Sequence, residues 1–149
     1  MLNPLLIILS IEVTAIRTSI RELEAAVNDL KTKQLYSLSH PSAELTNQID
    51  ALSLSLTTTT STLTKRIDAL GRQVGSDEAK RGHWDTLKSS LGRALSKLQM
   101  VGKEHRAMVR DRVKRQFLIV KPDATDEEVQ QVLEAGNGGQ IFAQAVGSS

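Results

Sequence analysis

Side chains able to carry out chemistry are few and scattered. His40, His83 and His105 lie far apart and outside any metal-ligand spacing. There is no cysteine, which removes a disulfide framework, a thiolate metal site and a sulfur nucleophile. Serine and threonine are abundant, but none sits in a Gly-x-Ser-x-Gly nucleophile elbow. Glu127 and Glu128 are neighbours on a predicted helix, so their carboxylates point in different directions and are poorly placed for shared acid–base work. Gly136-Asn-Gly-Gly139 lacks the glycine–lysine pattern of a phosphate loop and follows a helix pattern rather than a strand, where glycine is an ordinary terminator. These residues point to no catalytic site, no metal and no cofactor. What remains is recognition.

Charge is the feature most suited to recognition. The net charge is only +2, yet residues 1–75 hold seven basic and seven acidic side chains, residues 76–121 twelve and five, and residues 122–149 none and five. The basic run Lys103, Arg106, Arg110, Arg112, Lys114, Arg115 and Lys121 has only Phe117 as a nearby aromatic, so nucleic acid is not the expected partner. It reads either as the solvated flank of a helix or, through Lys103, Arg106, Arg110 and Lys114, as a surface for an acidic partner or an anionic membrane.

The elements that position these groups are read from apolar spacing. Val13, Ile16, Ile20, Leu23, Val27 and Leu30 recur at intervals of 3, 4, 3, 4 and 3, the seam of a long amphipathic helix. It is expected to run to about Leu38, before His40-Pro41 breaks it. A second seam runs Leu45, Ile49, Leu52, Leu56, Leu63, Ile67, Leu70 and Val74. Its halves are joined by the run Thr57 to Thr62, with Thr59 in the seam, and the spacing predicts one helix through it, ended by Gly71 and Gly75. Ser76-Asp-Glu caps a third pattern from Asp77 to Val120: Trp84, Leu87, Leu91, Ala94, Leu95, Leu98, Val101, Met108, Val109, Val113 and Phe117. Pro122 closes it. Thr125-Asp-Glu-Glu128 is a capping box opening a short helix, Asp126 to Ala135, which Gly136-Asn-Gly-Gly139 stops.

With 3% aromatic residues, the core must come from aliphatic side chains. The expected fold is all-α, an antiparallel up-down-up three-helix bundle over residues 13–121, followed by a linker with a short helix over residues 122–149. Residues 1–12 form an apolar leader, too short to span a bilayer, which needs about 20 apolar residues, and without the basic start of a signal peptide.

From Arg112 the sequence reads Arg-Val-Lys-Arg-Gln-Phe-Leu-Ile-Val-Lys-Pro-Asp-Ala-Thr-Asp-Glu-Glu-Val, and from Gly138 Gly-Gly-Gln-Ile-Phe-Ala-Gln-Ala-Val. This segment resembles fungal plasma-membrane syntaxins. The matching positions are Arg115, Gln116, Ile119, Val120, Pro122, Asp123, Ala124, Thr125, Glu127, Glu128, Val129, Gln140, Ile141 and Phe142. The resemblance implies a three-helix regulatory domain called Habc, then a linker, with the chain ending before the SNARE helix and the membrane anchor. It further implies a non-enzymatic module of exocytosis on the cytoplasmic side of the plasma or endomembrane system. There Habc folds onto the SNARE helix of a syntaxin and restrains fusion-complex assembly, and SM-family regulators recognise that arrangement. Two other readings stand beside it: a peripheral protein of anionic membranes, or a self-associating coiled coil.

Overall fold

The computed structural model describes residues 4–135. These contain four helices, α1 (Pro4–Ser39), α2 (Ala43–Val74), α3 (Glu78–Val120) and α4 (Asp126–Glu134). The glycine stop at 136–139 and the motif residues Gln140, Ile141 and Phe142 lie outside the described residues. The chain divides into two compact units, Met1–Gly102 and Lys103–Ser149.

In the first unit the seams become the core. The buried face of α1 is Ile16, Ile20, Leu23, Val27, Leu30 and Gln34, the expected seam carried one step further. On α2 it is Leu56, Thr60, Leu63, Ile67, Leu70 and Val74, and Leu87, Leu91, Ala94 and Val101 of α3 complete the cluster. This is the expected antiparallel three-helix bundle. Arg66, late in α2, meets Glu12, early in α1, and Trp84, early in α3, meets Ile67, late in α2.

The threonine run is helical, its seam packed in the core through Leu56, Thr60 and Leu63, and its hydroxyls are satisfied by carbonyls of the preceding turn. Thr57 donates to Ser53 O at 3.0 Å, Thr58 to Leu54 O at 3.1 Å, Thr60 to Thr57 O at 2.9 Å and Thr64 to Thr60 O at 2.8 Å. The buried member of the run is Thr60, not the expected Thr59, which is only half-buried. Spacing allowed either register, and the core selects the one in which a 4-residue step follows Leu56.

Three further expectations change. α1 begins at Pro4 rather than near Val13, since proline is tolerated in a first turn where no amide donor is needed. The segment read as a leader is therefore helix, and its Leu5, Leu6, Ile7, Ile8 and Ile11 are 42–67% exposed. Gly71 does not end α2 but lies inside it; the end is Gly75, whose φ of 56° suits a residue without Cβ. Met108 and Val109, expected in the α3 seam, are each 38% exposed. In sequence they fall between Val101, the last α3 residue of the first core, and Val113, the first of the second, so neither core covers them.

The second unit is built from α3 beyond Gly102 and from α4. Phe117, Val129 and Val132 are buried together, with Val113, Leu118, Ala124 and Leu133 packed around them.

Candidate interaction surfaces

Polar fasteners tie the helices of the first unit together. The Arg66 guanidinium grips Glu12 Oε1 through both Nε (2.8 Å) and an Nη (2.7 Å), tying α2 to α1. Lys97 on α3 donates to the Asn28 side chain on α1. Between α2 and α3, the Trp84 indole N–H donates to Ile67 O at 3.0 Å. A Cβ at Gly71 would stand 2.7 Å from Trp84 Nε1 and 2.8 Å from Cε2, so the indole lies where only glycine leaves room. Arg81 and Lys88 lie 5.4 and 5.0 Å from the Trp84 ring centroid. The frame leaves apolar surface uncovered: Leu45, Ile49 and Leu52 of α2 and Leu95 and Leu98 of α3 are half-buried, and Leu54 is exposed.

In the second unit the linker motif takes a defined shape. Arg115, Gln116, Ile119 and Val120 close α3; Pro122, Asp123 and Ala124 form the turn; Thr125 caps α4; Glu127, Glu128 and Val129 are its first turn. Proline at 122 ends α3, and Ala124 N donates to Lys121 O at 3.1 Å to tighten the reversal. Only half of the expected capping box forms. Thr125 Oγ1 accepts from Glu128 N at 3.2 Å, but the Glu128 carboxylate turns to the Thr125 hydroxyl (3.3 Å) and the Lys121 ammonium rather than back to the Thr125 amide. The hydrogen bond from Lys121 lowers the Glu128 pKa and raises that of Lys121. Val129 is buried by this turn, whereas Ile119 is 78% exposed.

The basic candidates Lys103, Arg106, Arg110 and Lys114 are all exposed on α3. Asp111 pairs with Arg115 at 3.0 Å. His105 is half-buried, with its Nδ1 shielded from solvent and unpartnered among the described residues. Burial, and then the neighbouring Arg106 charge, push its pKa down. His40 stacks on Tyr36 with ring centroids 4.3 Å apart, and His83 lines a pocket with Leu6 and Val13.

The family model for syntaxin matches residues 9–146. The chain belongs to the syntaxin family. Among curated relatives, the Syntaxin-like protein psy1 of Schizosaccharomyces pombe is 26% identical over 128 residues, 86% of this chain and 42% of that protein. Protein SSO2 of Saccharomyces cerevisiae is 29% identical over 70 residues, 47% of this chain and 24% of that protein. The chain thus spans less than half the length of the curated syntaxin relatives it matches. Among the described residues, no helix of this syntaxin chain is long and apolar enough to cross a membrane.

Two features of the syntaxin frame were missed by sequence reasoning. The Gly71–Trp84 notch is one, although a glycine three residues before Val74 in a helix with a nearby tryptophan was a usable signal. The other is a cleft of about 420 Å³ lined by His105, Arg106, Val109, Arg110, Val113, Val132 and Leu133. No sequence spacing announces it, because α4 supplies one of its walls.

Proposed function

We propose that this chain is the regulatory helical part of a syntaxin in vesicle-mediated transport, and that the α1–α3 bundle binds the SNARE helix of a syntaxin and restrains its assembly into the fusion complex. The observation that carries this reading is the family match over residues 9–146 falling on a three-helix bundle whose α2 and α3 seams are not fully covered. A fourth amphipathic helix would bury Leu45, Ile49 and Leu52 together with Leu95 and Leu98, which is helix-in-groove recognition at an unfilled position of a bundle. SM-family regulators would read the closed arrangement. The role is binding rather than catalysis, on the cytoplasmic face of the plasma or endomembrane system. Titration of the full chain with a SNARE-helix peptide, followed through the methyl groups of Ile49, Leu52, Leu95 and Leu98, tests it; saturable shifts support it, and their absence both in trans and with the helix covalently tethered rejects it.

A second reading rests on a separate observation. The first turns of α1 carry exposed Leu5, Leu6, Ile7, Ile8 and Ile11, which suit shallow insertion into a membrane, and α3 separately carries the exposed cations Lys103, Arg106, Arg110 and Lys114, which suit anionic headgroups. Flotation with liposomes distinguishes it: binding that needs acidic lipid and fades with salt supports it, and salt-independent absence of binding removes it.

A further inference from the structure

The second unit holds a binding site of its own. His105, Val109 and Val113 follow one another at intervals of four along α3, and Arg106 and Arg110 form a parallel row beside them. Val132 and Leu133 of α4 close the other side, giving the cleft of about 420 Å³, a volume within the range of ligand-binding cavities. Its floor is aliphatic and its charged lining is cationic only. Arg115 pairs with Asp111 and Lys121 with Glu128, whereas Lys103, Arg106, Arg110, Arg112 and Lys114 form no ion pair among the described residues, and of these Arg106 and Arg110 line the cleft. Holding two guanidiniums one turn apart without a counter-charge is unfavourable for the folded helix. A buried, unpartnered His105 Nδ1 in the same lining is likewise unfavourable. An occupant with apolar side chains and carboxylates would cover the aliphatic lining and relieve the two guanidiniums.

We propose that this cleft is a docking site for a short acidic amphipathic helix of a partner protein, with aliphatic anchors on Val109, Val113, Val132 and Leu133 and carboxylates on Arg106 and Arg110. The two arginines of the lining favour an acidic partner, and the paired aliphatic residues from α3 and α4 suit the apolar stripe of a helix. The site is distinct from the α1–α3 surface proposed for the SNARE helix.

The test is a methyl-labelled NMR titration of the full chain with three probes. These are a designed helical peptide with leucines at i, i+3 and i+7 flanked by glutamates, the same peptide with lysines for the glutamates, and phosphatidylserine vesicles. The acidic peptide is expected to shift the Val109, Val113, Val132 and Leu133 methyls saturably while the basic peptide leaves them in place. The double reversal Arg106→Glu/Arg110→Glu should weaken binding about tenfold with helicity unchanged; if it perturbs the fold, Arg106→Gln/Arg110→Gln replaces it. Equal response to both peptides overturns the proposal, as does absence of shifts with the acidic peptide at about 1 mM, the weak end of useful affinity. A response of these methyls to vesicles alone assigns the cleft to lipid and also overturns it. The SNARE-helix reading is scored on other methyls, Ile49, Leu52, Leu95 and Leu98, so the two can fail separately.

Discussion

Replacing Gly71 with alanine should destabilise the bundle, against the usual preference for alanine in helices. In an ordinary helix interior the exchange would stabilise by about 1 kcal/mol. Here the new Cβ would stand 2.7 Å from Trp84 Nε1 and 2.8 Å from Cε2, distances that force the indole to move. Overpacking of this kind costs about 1–3 kcal/mol. The displaced indole also loses its hydrogen bond to Ile67 O, about 1 kcal/mol for a typical bond. The opposing effects leave a net loss of about 1–3 kcal/mol. Urea denaturation followed by circular dichroism reads this as a lower midpoint at unchanged slope. The decisive comparison is a double-mutant cycle with Trp84→Leu: once the indole is gone, Gly71→Ala should change sign and stabilise by up to about 1 kcal/mol. Stabilisation by Gly71→Ala in the unmodified chain, or the same effect in both backgrounds, would refute the notch.

Leu23→Ala empties a site only 2% exposed in the first core and should cost about 2–5 kcal/mol, measured by the same denaturation. Thr125→Ala removes the cap that accepts the Glu128 amide and should cost about 1 kcal/mol, seen as faster hydrogen exchange in α4 with the first unit unchanged. Acid should loosen α4 first. Glu128 is depressed in the folded chain mainly by its hydrogen bond from Lys121, so its contribution is present above its unfolded pKa and is lost as pH falls through the lower folded value. His105, lowered chiefly by desolvation, acts earlier in the same direction: below its ordinary pKa the unfolded chain takes up the proton more readily, so stability falls as pH drops toward the folded value. NMR-detected exchange of the α4 amides across the acidic range checks both, and α4 protection that rises on acidification would contradict them.

The fold was legible in the sequence to the extent that burial follows period. The α1 seam from Ile16 to Leu30 and the α2 seam from Leu63 to Val74 appear in the core residue for residue, because each apolar side chain met another helix. Where a choice depended on register, spacing alone was insufficient: Thr59 and Thr60 both satisfy a seam, and only packing against the other helices selects Thr60. Met108 and Val109 show the converse, since an apolar pair in period is buried only if a partner faces it. The start of α1 was missed because the segment from Leu5 to Leu9 is apolar at every position and carries no period to read. The surfaces were less legible than the core. The linker motif identified the family, but which of its residues are structural emerged only with the turn: Pro122, Thr125 and Val129 build it, while Ile119 faces solvent. The cleft beside His105 depends on two segments meeting across that turn, and such proximity has no local signature.

The proposed seating of a SNARE helix on the α1–α3 bundle is open to direct measurement. Isothermal titration of the full chain with the SNARE-helix peptide of a cognate syntaxin, repeated with that helix fused to the chain through a flexible linker, measures it directly. Saturable one-to-one binding, weakened by a lysine in place of Leu52 or Leu98, is the predicted result. No heat in trans at high micromolar concentration, together with a fused helix that remains unstructured, would contradict it.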